Sequence, residues 1–377
     1  MAPLAAHPLR IAFLTSSRFW RGSSSVFAVL AHGLNARGHA TVALVAYEPL
    51  AAGFRARELA VQTLPVGHTS WRGARALRHA LRELAVDVVL VDRARDIRLA
   101  AVAALRRPLR IVYCISTPGP PRDPLTRLAF RRVGLTVFLT HGLARTAFAE
   151  APFMRRAPHR VIPNGVDCDL FRPDPGAGQT FRARHRLGDG PLLVGVGALE
   201  IEKRWDLLLD SLALLRPPAP RLVLCGSGAL AEPLRVQAHA LHVEVSFVGQ
   251  LDAAELVGAY NAASCVVHTR PDEVFALVLI EALACGRPVV AADGGGTREL
   301  LGAAGVLAPS GNPEGFARAL GDLLHDAPRQ VALGEAARRR ALERYSVGRL
   351  VRDYADALES LGAAPRSGAP EGVGPSA

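Results

Sequence analysis

Short apolar runs alternate with amphipathic stretches along most of the chain. RIAFLT (10–15), ATVALVA (40–46), VDVVLVD (86–92), RIVYCI (110–115), LTVFLT (135–140) and RVIP (160–163) are rich in β-branched residues and predict strands. Between several of them, apolar residues recur at helical spacing, as in SSSVFAVLAHGLNARG (23–38) and WRGARALRHALRELA (71–85). Near-continuous apolar strands separated by helices predict a parallel sheet covered on both faces. After the turn-rich stretch PNGVDCDLFRPDPGAGQ (163–179) a second series begins: LLVGVG (192–197), RLVLCG (221–226), EVSFVG (244–249), SCVVHT (264–269) and RPVVAAD (287–293). The fold class expected is α/β, with two doubly wound Rossmann-like domains in tandem facing across a cleft. Residues 312–361 read as helices, and the Pro/Gly-rich end, 362–377, is expected to be disordered.

Composition narrows the class. Half of the 377 residues are hydrophobic and 21% are charged, which fits a globular chain of two domains and excludes a disordered one. There is no apolar run of 18 residues, and the start, MAPLAAHPLRIAFLTS, lacks a basic head followed by a long apolar stretch, so neither a membrane span nor a signal peptide is expected. The five cysteines are odd in number and lack a CxxC spacing; they read as reduced core residues of a cytoplasmic protein. Charge is uneven. Residues 1–163 hold 24 basic and 8 acidic residues, a net of +16, whereas the remainder is net −5. The first half therefore suits an acidic partner: an anionic membrane surface or a phosphorylated substrate. Nucleic acid is not expected, since no aromatic-interleaved basic motif accompanies the arginines.

The candidate chemistry lies in DEVFALVLIEALACGRPVVAADGGGTREL (272–300), where an apolar run carries Glu273 at one end and Glu281 at the other. Buried carboxylates must be satisfied by hydrogen bonds or cations. SCVVHT predicts a strand, TRPDEV a turn, and LVLIEALACG a helix closed by Gly286 and Pro288. That order sets the helix N-terminus at the carboxyl edge of the sheet, where free N–H groups hold anions. With Glu273 in the loop and Glu281 in the helix, two acceptors flank an anion site. A sugar nucleotide, anionic in its middle and hydroxylated at both ends, fits that layout; a pair of structural, salt-bridged glutamates is the alternative reading.

These segments resemble the E-x7-E signature of retaining glycosyltransferases of GT-B fold, family four (glycosyl transferases group 1). LNARGHATVALVA, VIPNGVDCDLFRP, VGALEIEKRWDLLLDSLALL, LVLCGSGALAEPL, VSFVGQLDAAELVGAYNAASCVVHT and GGGTRELL match in the family's order, over about residues 10–361. The resemblance implies an acceptor-binding domain at 1–163, a nucleotide-sugar domain at 164–345, and a C-terminal helix at 346–361 crossing back to the first. It implies that Glu273 and the backbone N–H groups of Val274, Phe275 and Ala276 hold the donor sugar, that the N–H groups of Leu277 and Val278 face the diphosphate, and that Glu281 accepts from the ribose. Lys203 would neutralise the leaving diphosphate, so Lys203 and Glu273 are the catalytic pair, with Arg204, Gly22, Gly197 and Gly226 also on the donor side. Lys203 is the only lysine beside 44 arginines. No cofactor and no metal is expected, the nucleotide sugar being the substrate.

Departures from the family pattern fall at three places. Ala198 stands where an arginine is usual, EVFA replaces EGFG, and RIVYCIS ends in Ser116 where a histidine is common. Ser116 and Asp92 are the acceptor-side candidates; Asp92 either faces the acceptor or pairs with Arg93 or Arg95. Asp167-Cys168-Asp169 has the look of a metal-binding D-x-D but follows a Pro-Asn-Gly turn and reads as a cap. The expected acceptor is a lipid-linked, cell-envelope or phosphorylated glycan, on the cytoplasmic side. PPRDPLTRLAFRRVG (120–134) predicts an amphipathic helix, with Leu125, Leu128, Ala129 and Val133 rimmed by arginines, that could rest on anionic lipid. A sugar-nucleotide epimerase and a non-catalytic sugar-nucleotide binder remain the competing functions.

Overall fold

The computed structural model describes residues 8–20, 22–216 and 219–363. Its contacts divide into two units. Unit 1 comprises described residues up to 138, 145–162 and 351 onward; unit 2 comprises 139–144 and 163–350. The division differs from the expected limits of 163 and 345 in giving residues 139–144 to unit 2 and in falling inside the last helix, Val347–Ala363. The tail expected from residue 362 lies, from 364 on, outside the described residues.

Unit 1 holds seven parallel strands: β1 (Arg10–Thr15), β2 (Ala40–Val45), β3 (Val61–Thr63), β4 (Val88–Val91), β5 (Arg110–Ile115), β6 (Val133–Phe138) and β7 (His159–Val161). Their order across the sheet is β3-β2-β1-β4-β5-β6-β7. Unit 2 holds β8 (Leu192–Val196), β9 (Arg221–Cys225), β10 (Val245–Gly249), β11 (Cys265–His268), β12 (Val289–Ala292) and β13 (Val306–Ala308), in the order β10-β9-β8-β11-β12-β13. β4 and β8 are buried along their whole length, which is why their sequences carry no polar alternation. The short strands β3 and β13, each three residues at a sheet edge, have too little apolar pattern to stand out in the sequence. Strand 135–140 begins two residues earlier than expected, because Val133 pairs with Ile111. That pairing also removes Val133 from the amphipathic helix expected over 120–134, which is only Pro124–Ala129, capped by Asp123.

Local signals explain the helices. Ser70 accepts from Gly73 N–H at 3.0 Å and opens helix Trp71–Glu83. Asp252 and Glu255 form a reciprocal capping box ahead of Ala253–Ala262. Leu277–Ala284 turns Leu279, Ile280 and Leu283 into the unit 2 core, each buried aliphatic contributing about 1.5–3 kcal/mol. All five cysteines are free and buried, as their apolar settings in the sequence indicated.

Strand order fixes where ligands collect. In each sheet the order reverses once, between β1 and β4 in unit 1 and between β8 and β11 in unit 2. The loops leaving the carboxyl ends at such a reversal diverge and leave a crevice. In unit 2 those loops carry Lys203 and Glu273.

Candidate active site

The loop after β8 is shaped by close backbone packing. A side chain at Gly226 would put Cβ 1.9 Å from the Gly197 carbonyl oxygen, so the loop leaving β9 can meet the loop leaving β8 only with a glycine at 226. Leu199 N–H bonds Ser227 O at 2.9 Å, and Leu230 N–H bonds Leu199 O at 2.9 Å, locking the two loops together. Trp205, fully buried at the start of helix Trp205–Ala213, donates its indole N–H to Ala198 O at 2.9 Å. The Thr269 hydroxyl, just past β11, donates to Lys203 O at 2.7 Å. The lysine's backbone is thereby held while its side chain reaches across the crevice.

Lys203 Nζ lies 3.2 Å from Glu273 Oε2, and the two side chains are 17% and 14% exposed. His268, the last residue of β11, brings Nε2 to 3.6 Å from the same oxygen. Its imidazole is pushed down to about 4, by burial first and then by Lys203, against the upward pull of Glu273. It is therefore neutral at physiological pH. Arg204, expected to share the donor's phosphates, sits at φ 55° and forks onto Asp206, its Nε 3.1 Å from Oδ1. Its guanidinium is already committed, and the ammonium of Lys203 is the cation that reaches Glu273.

The replacement of EGFG by EVFA costs the backbone nothing. Val274 is not among the described residues with positive φ, and Ala276 has φ −89°. The close approach falls instead to the glycines opposite. Cβ atoms on Gly294, Gly295 and Gly296 would lie 2.2, 2.3 and 2.0 Å from the carbonyl oxygens of Pro271, Glu273 and Val274. Gly296 N–H donates to Glu273 O at 2.6 Å. The loop is thus seated on GGG, and Val274 and Phe275 remain partly exposed beside it. At the head of helix Leu277–Ala284, Ala276 supplies no side-chain cap to the N–H groups of Leu277 and Val278.

Glu281 lies one turn into that helix, and helical side chains lean toward the N-terminus. Its Oε2 accepts from the hydroxyl of fully buried Tyr260 at 2.7 Å. Burial raises the carboxyl's pKa and the Tyr260 bond lowers it, leaving a net rise. Tyr260 and His268 were not singled out from the sequence. His268 stood at the end of SCVVHT, at the same sheet edge that located Glu273; Tyr260, 21 residues from its partner, carried no such signal.

The acceptor-side candidates are in unit 1. Asp92 follows β4 and Ser116 follows β5, both partly buried. Asp92 is raised by burial, with Ser23, Arg93 and Thr15 opposing that rise. Of its two expected arginine partners, Arg95 is engaged elsewhere, donating to Ser16 Oγ at 2.6 Å and to Gly67 O at 2.9 Å. Asp96, one turn on and missed in the sequence, is fully buried and accepts from Ser16 N–H at 3.1 Å. Its carboxyl is pushed up to about 7, by burial and then by Asp92. Gly22 is exposed, and a Cβ added there would meet nothing within 4 Å, so packing does not demand a glycine at this position. Asp167 Oδ1 accepts from Asp169 N–H at 2.9 Å and Leu170 N–H at 3.1 Å, the capping role expected for D-x-D.

Residues 179–340 match Glycosyl transferases group 1, and residues 20–170 match Glycosyltransferase Family 4. The chain belongs to the family four, group 1 glycosyltransferases. Among this family's curated members, it is 35% identical over 239 residues to the GDP-mannose-dependent alpha-(1-6)-phosphatidylinositol monomannoside mannosyltransferase of Mycolicibacterium smegmatis, covering 59% of this chain and 62% of that protein. It is 34% identical over 222 residues to the D-inositol 3-phosphate glycosyltransferase of Thermobispora bispora, covering 53% of this chain and 51% of that one. The matched region thus spans less than two thirds of either relative's length. Alr3699/HepE of Anabaena, solved in complex with UDP, shares the fold with a TM-score of 0.83 at 22% identity, over 93% of this chain and all of that one. Sucrose-phosphate synthase of Thermosynechococcus elongatus does so with a TM-score of 0.77 at 19% identity, over 94% and 99%. The family's GT-B fold accounts for the two Rossmann-like units.

Proposed function

We propose that the protein is a retaining glycosyltransferase that moves a hexose from a nucleotide-sugar donor to a hydroxyl of a phosphate-bearing or lipid-linked polyol. The observation that carries this reading is the meeting of Lys203 and Glu273 at the strand-order reversal of unit 2, beside the uncapped head of the helix that bears Glu281. In it, Glu281 accepts from the ribose hydroxyls, Lys203 and the N–H groups of Leu277 and Val278 take the diphosphate, and Glu273 with the loop backbone takes the sugar. Lys203 stabilises charge as it develops on the departing phosphate, the larger part of catalysis in such sites. The acceptor attacks from the face the diphosphate leaves, and a phosphate oxygen takes its proton, so configuration is retained and no metal is needed.

Unit 1 supports the acceptor class. Arg72, Arg75, Arg78 and Arg82 line a groove of about 930 Å³ with exposed Trp71, an anion-attracting surface. The curated relatives named above act on inositol phosphates and phosphatidylinositol mannosides, which are polyols of this kind. Leu125 and Leu128 are 67% and 58% exposed beside Arg127 and Arg131, a second feature suited to an anionic lipid surface. No helix among the described residues is long and apolar enough to cross a membrane. The test is a screen of UDP-, GDP- and ADP-sugars for binding, donor hydrolysis and transfer to inositol phosphates. Transfer with retained anomeric configuration is expected. Binding without turnover would make the protein a sugar-nucleotide binder, and interconversion of donor sugars would make it an epimerase.

A further inference from the structure

One oxygen in the unit 2 site has two suitors. Glu273 Oε2 is 3.2 Å from Lys203 Nζ and 3.6 Å from His268 Nε2. The first distance is a charge-assisted hydrogen bond; the second is just too long for one. His268 Nε2 is buried, and among the described residues it has no hydrogen-bond partner. A buried ring nitrogen aimed at a carboxylate and left unbonded is costly, and such atoms ask for an explanation.

The ring cannot easily turn away. His268 closes β11, whose backbone pairs with β12 through His268 and Ala291, and the side chain is 1% exposed. Nor can Lys203 leave by moving its loop, since Thr269 holds its carbonyl. The mobile parts are the lysine side chain and the Glu273 carboxylate. A shift of roughly 0.5 Å brings the carboxylate into normal hydrogen-bond range of Nε2.

The resting pair poses a problem for the reading given above, on which this inference rests. Lys203 cannot neutralise a diphosphate and Glu273 at full strength together. When the diphosphate draws Lys203 away, Glu273 is left charged in a site where it is 14% exposed, and stranding a carboxylate there is unfavourable. We propose that His268 is a positioning residue that receives Glu273 Oε2 when the donor takes Lys203, leaving Oε1 to the sugar hydroxyls. The imidazole stays neutral and donates Nε2–H; no proton changes hands. The charged groups facing it are Lys203, Glu273 and Arg270, and loss of Lys203 from its side removes a downward influence on its titration.

Two arms test this. The first needs no donor: in ¹⁵N-histidine spectra of the full chain, Lys203→Met mimics withdrawal of the ammonium, and His268→Gln identifies the signal. His268 should be the Nε2–H tautomer in Lys203→Met, its Nε2–H moved downfield and its titration moved upward from near pH 4. An unchanged signal and titration overturn the proposal. The second arm measures UDP, GDP, UDP-glucose and GDP-mannose binding by calorimetry. His268→Phe, which keeps a ring but no donor, should lose about tenfold in affinity for nucleoside diphosphate and nucleotide sugar alike, since either diphosphate draws Lys203 from Glu273; tenfold is the scale of one hydrogen bond to a charge. His268→Gln, whose amide can donate, should recover most of it. Equal binding by wild type and His268→Phe overturns the proposal. If none of the four ligands binds wild type, the donor reading fails, and the Lys203→Met spectrum still decides whether His268 takes up Glu273.

Discussion

Removing a single oxygen, Tyr260→Phe, probes the other carboxylate of the site. The Tyr260 hydroxyl donates to Glu281 Oε2 at 2.7 Å from a fully buried position, and Phe fills the same space. A hydrogen bond to a charged group contributes about 1.5–3 kcal/mol, a neutral one about 0.5–1.5 kcal/mol. The bond therefore counts for more when Glu281 is ionised. Burial holds the Glu281 pKa above its ordinary value, and the Tyr260 bond is what opposes that rise, so Tyr260→Phe raises it further. An acid whose folded pKa is raised is most stable protonated, and that stability is lost as pH climbs from the ordinary carboxylate value through the folded one. The variant should thus lose about 1.5–3 kcal/mol near pH 8 and less near pH 5, toward which the carboxyl protonates. Trp205, buried in the same unit, reports the transition once Trp20 and Trp71 are replaced by Phe. Urea unfolding followed by its fluorescence gives both values. Nucleotide affinity should fall as the carboxylate protonates, and should begin to fall at a higher pH in the variant than in wild type. A loss below about 0.5 kcal/mol at pH 8, or the same loss at both pH values, refutes the reasoning that Tyr260 holds an ionised Glu281.

Lys203→Ala should lower kcat by about 10²–10³, with Arg204→Ala costing less because its guanidinium is spent on Asp206; steady-state kinetics decide, and the reverse order would make Arg204 the phosphate ligand. Gly226→Ala sets a Cβ against the Gly197 carbonyl at 1.9 Å, so the β8 and β9 loops must part; nucleotide binding should be lost with a destabilisation of about 3 kcal/mol or more, read by calorimetry and urea unfolding. Asp96, pushed up to about 7, makes unit 1 more stable at low pH: its stability should rise by about 1.4 kcal/mol between pH 8 and pH 6, and Asp96→Asn should abolish that slope in unfolding experiments. Vesicle sedimentation should show binding that requires anionic lipid, falls with salt, and weakens in Arg127→Gln/Arg131→Gln; Arg132 is left out because it is bonded to Ala104 O.

Periodicity made most of the fold legible, because a strand buried on both faces, such as VVLV in β4, shows as an unbroken apolar run. It failed at β3 and β13, where three-residue edge strands bury too little to leave a pattern. Glu273 and Glu281 could be found because they interrupt an apolar run that follows a strand, whereas Lys203 was placed by the family resemblance, its charged neighbours leaving it no contrast of its own. What the sequence could not show was pairing across the site. That Tyr260 serves Glu281 and that GGG at 294–296 shelves the EVFA loop are facts of distance between segments. Local spacing holds no trace of them. Residues 120–134 show the opposite error: a helical spacing was present, but strand pairing claimed Val133 and shortened the helix.

Amine-directed chemistry meets an unusual target in this protein. Every side-chain cation apart from histidine is a guanidinium except one, and that ammonium sits in the crevice against Glu273. Reagents that acylate or reductively methylate amines ignore arginine, so Lys203 is the one lysine they can modify. Its ion pair and low exposure should make it slow to react, and any molecule that shields it further should slow it again. A ¹³C-methyl group placed there by reductive methylation would keep the charge and give a single lysine resonance inside the site. Occupancy of the crevice could then be followed in the unmutated chain by one peak, without a radiolabelled sugar or a coupled assay.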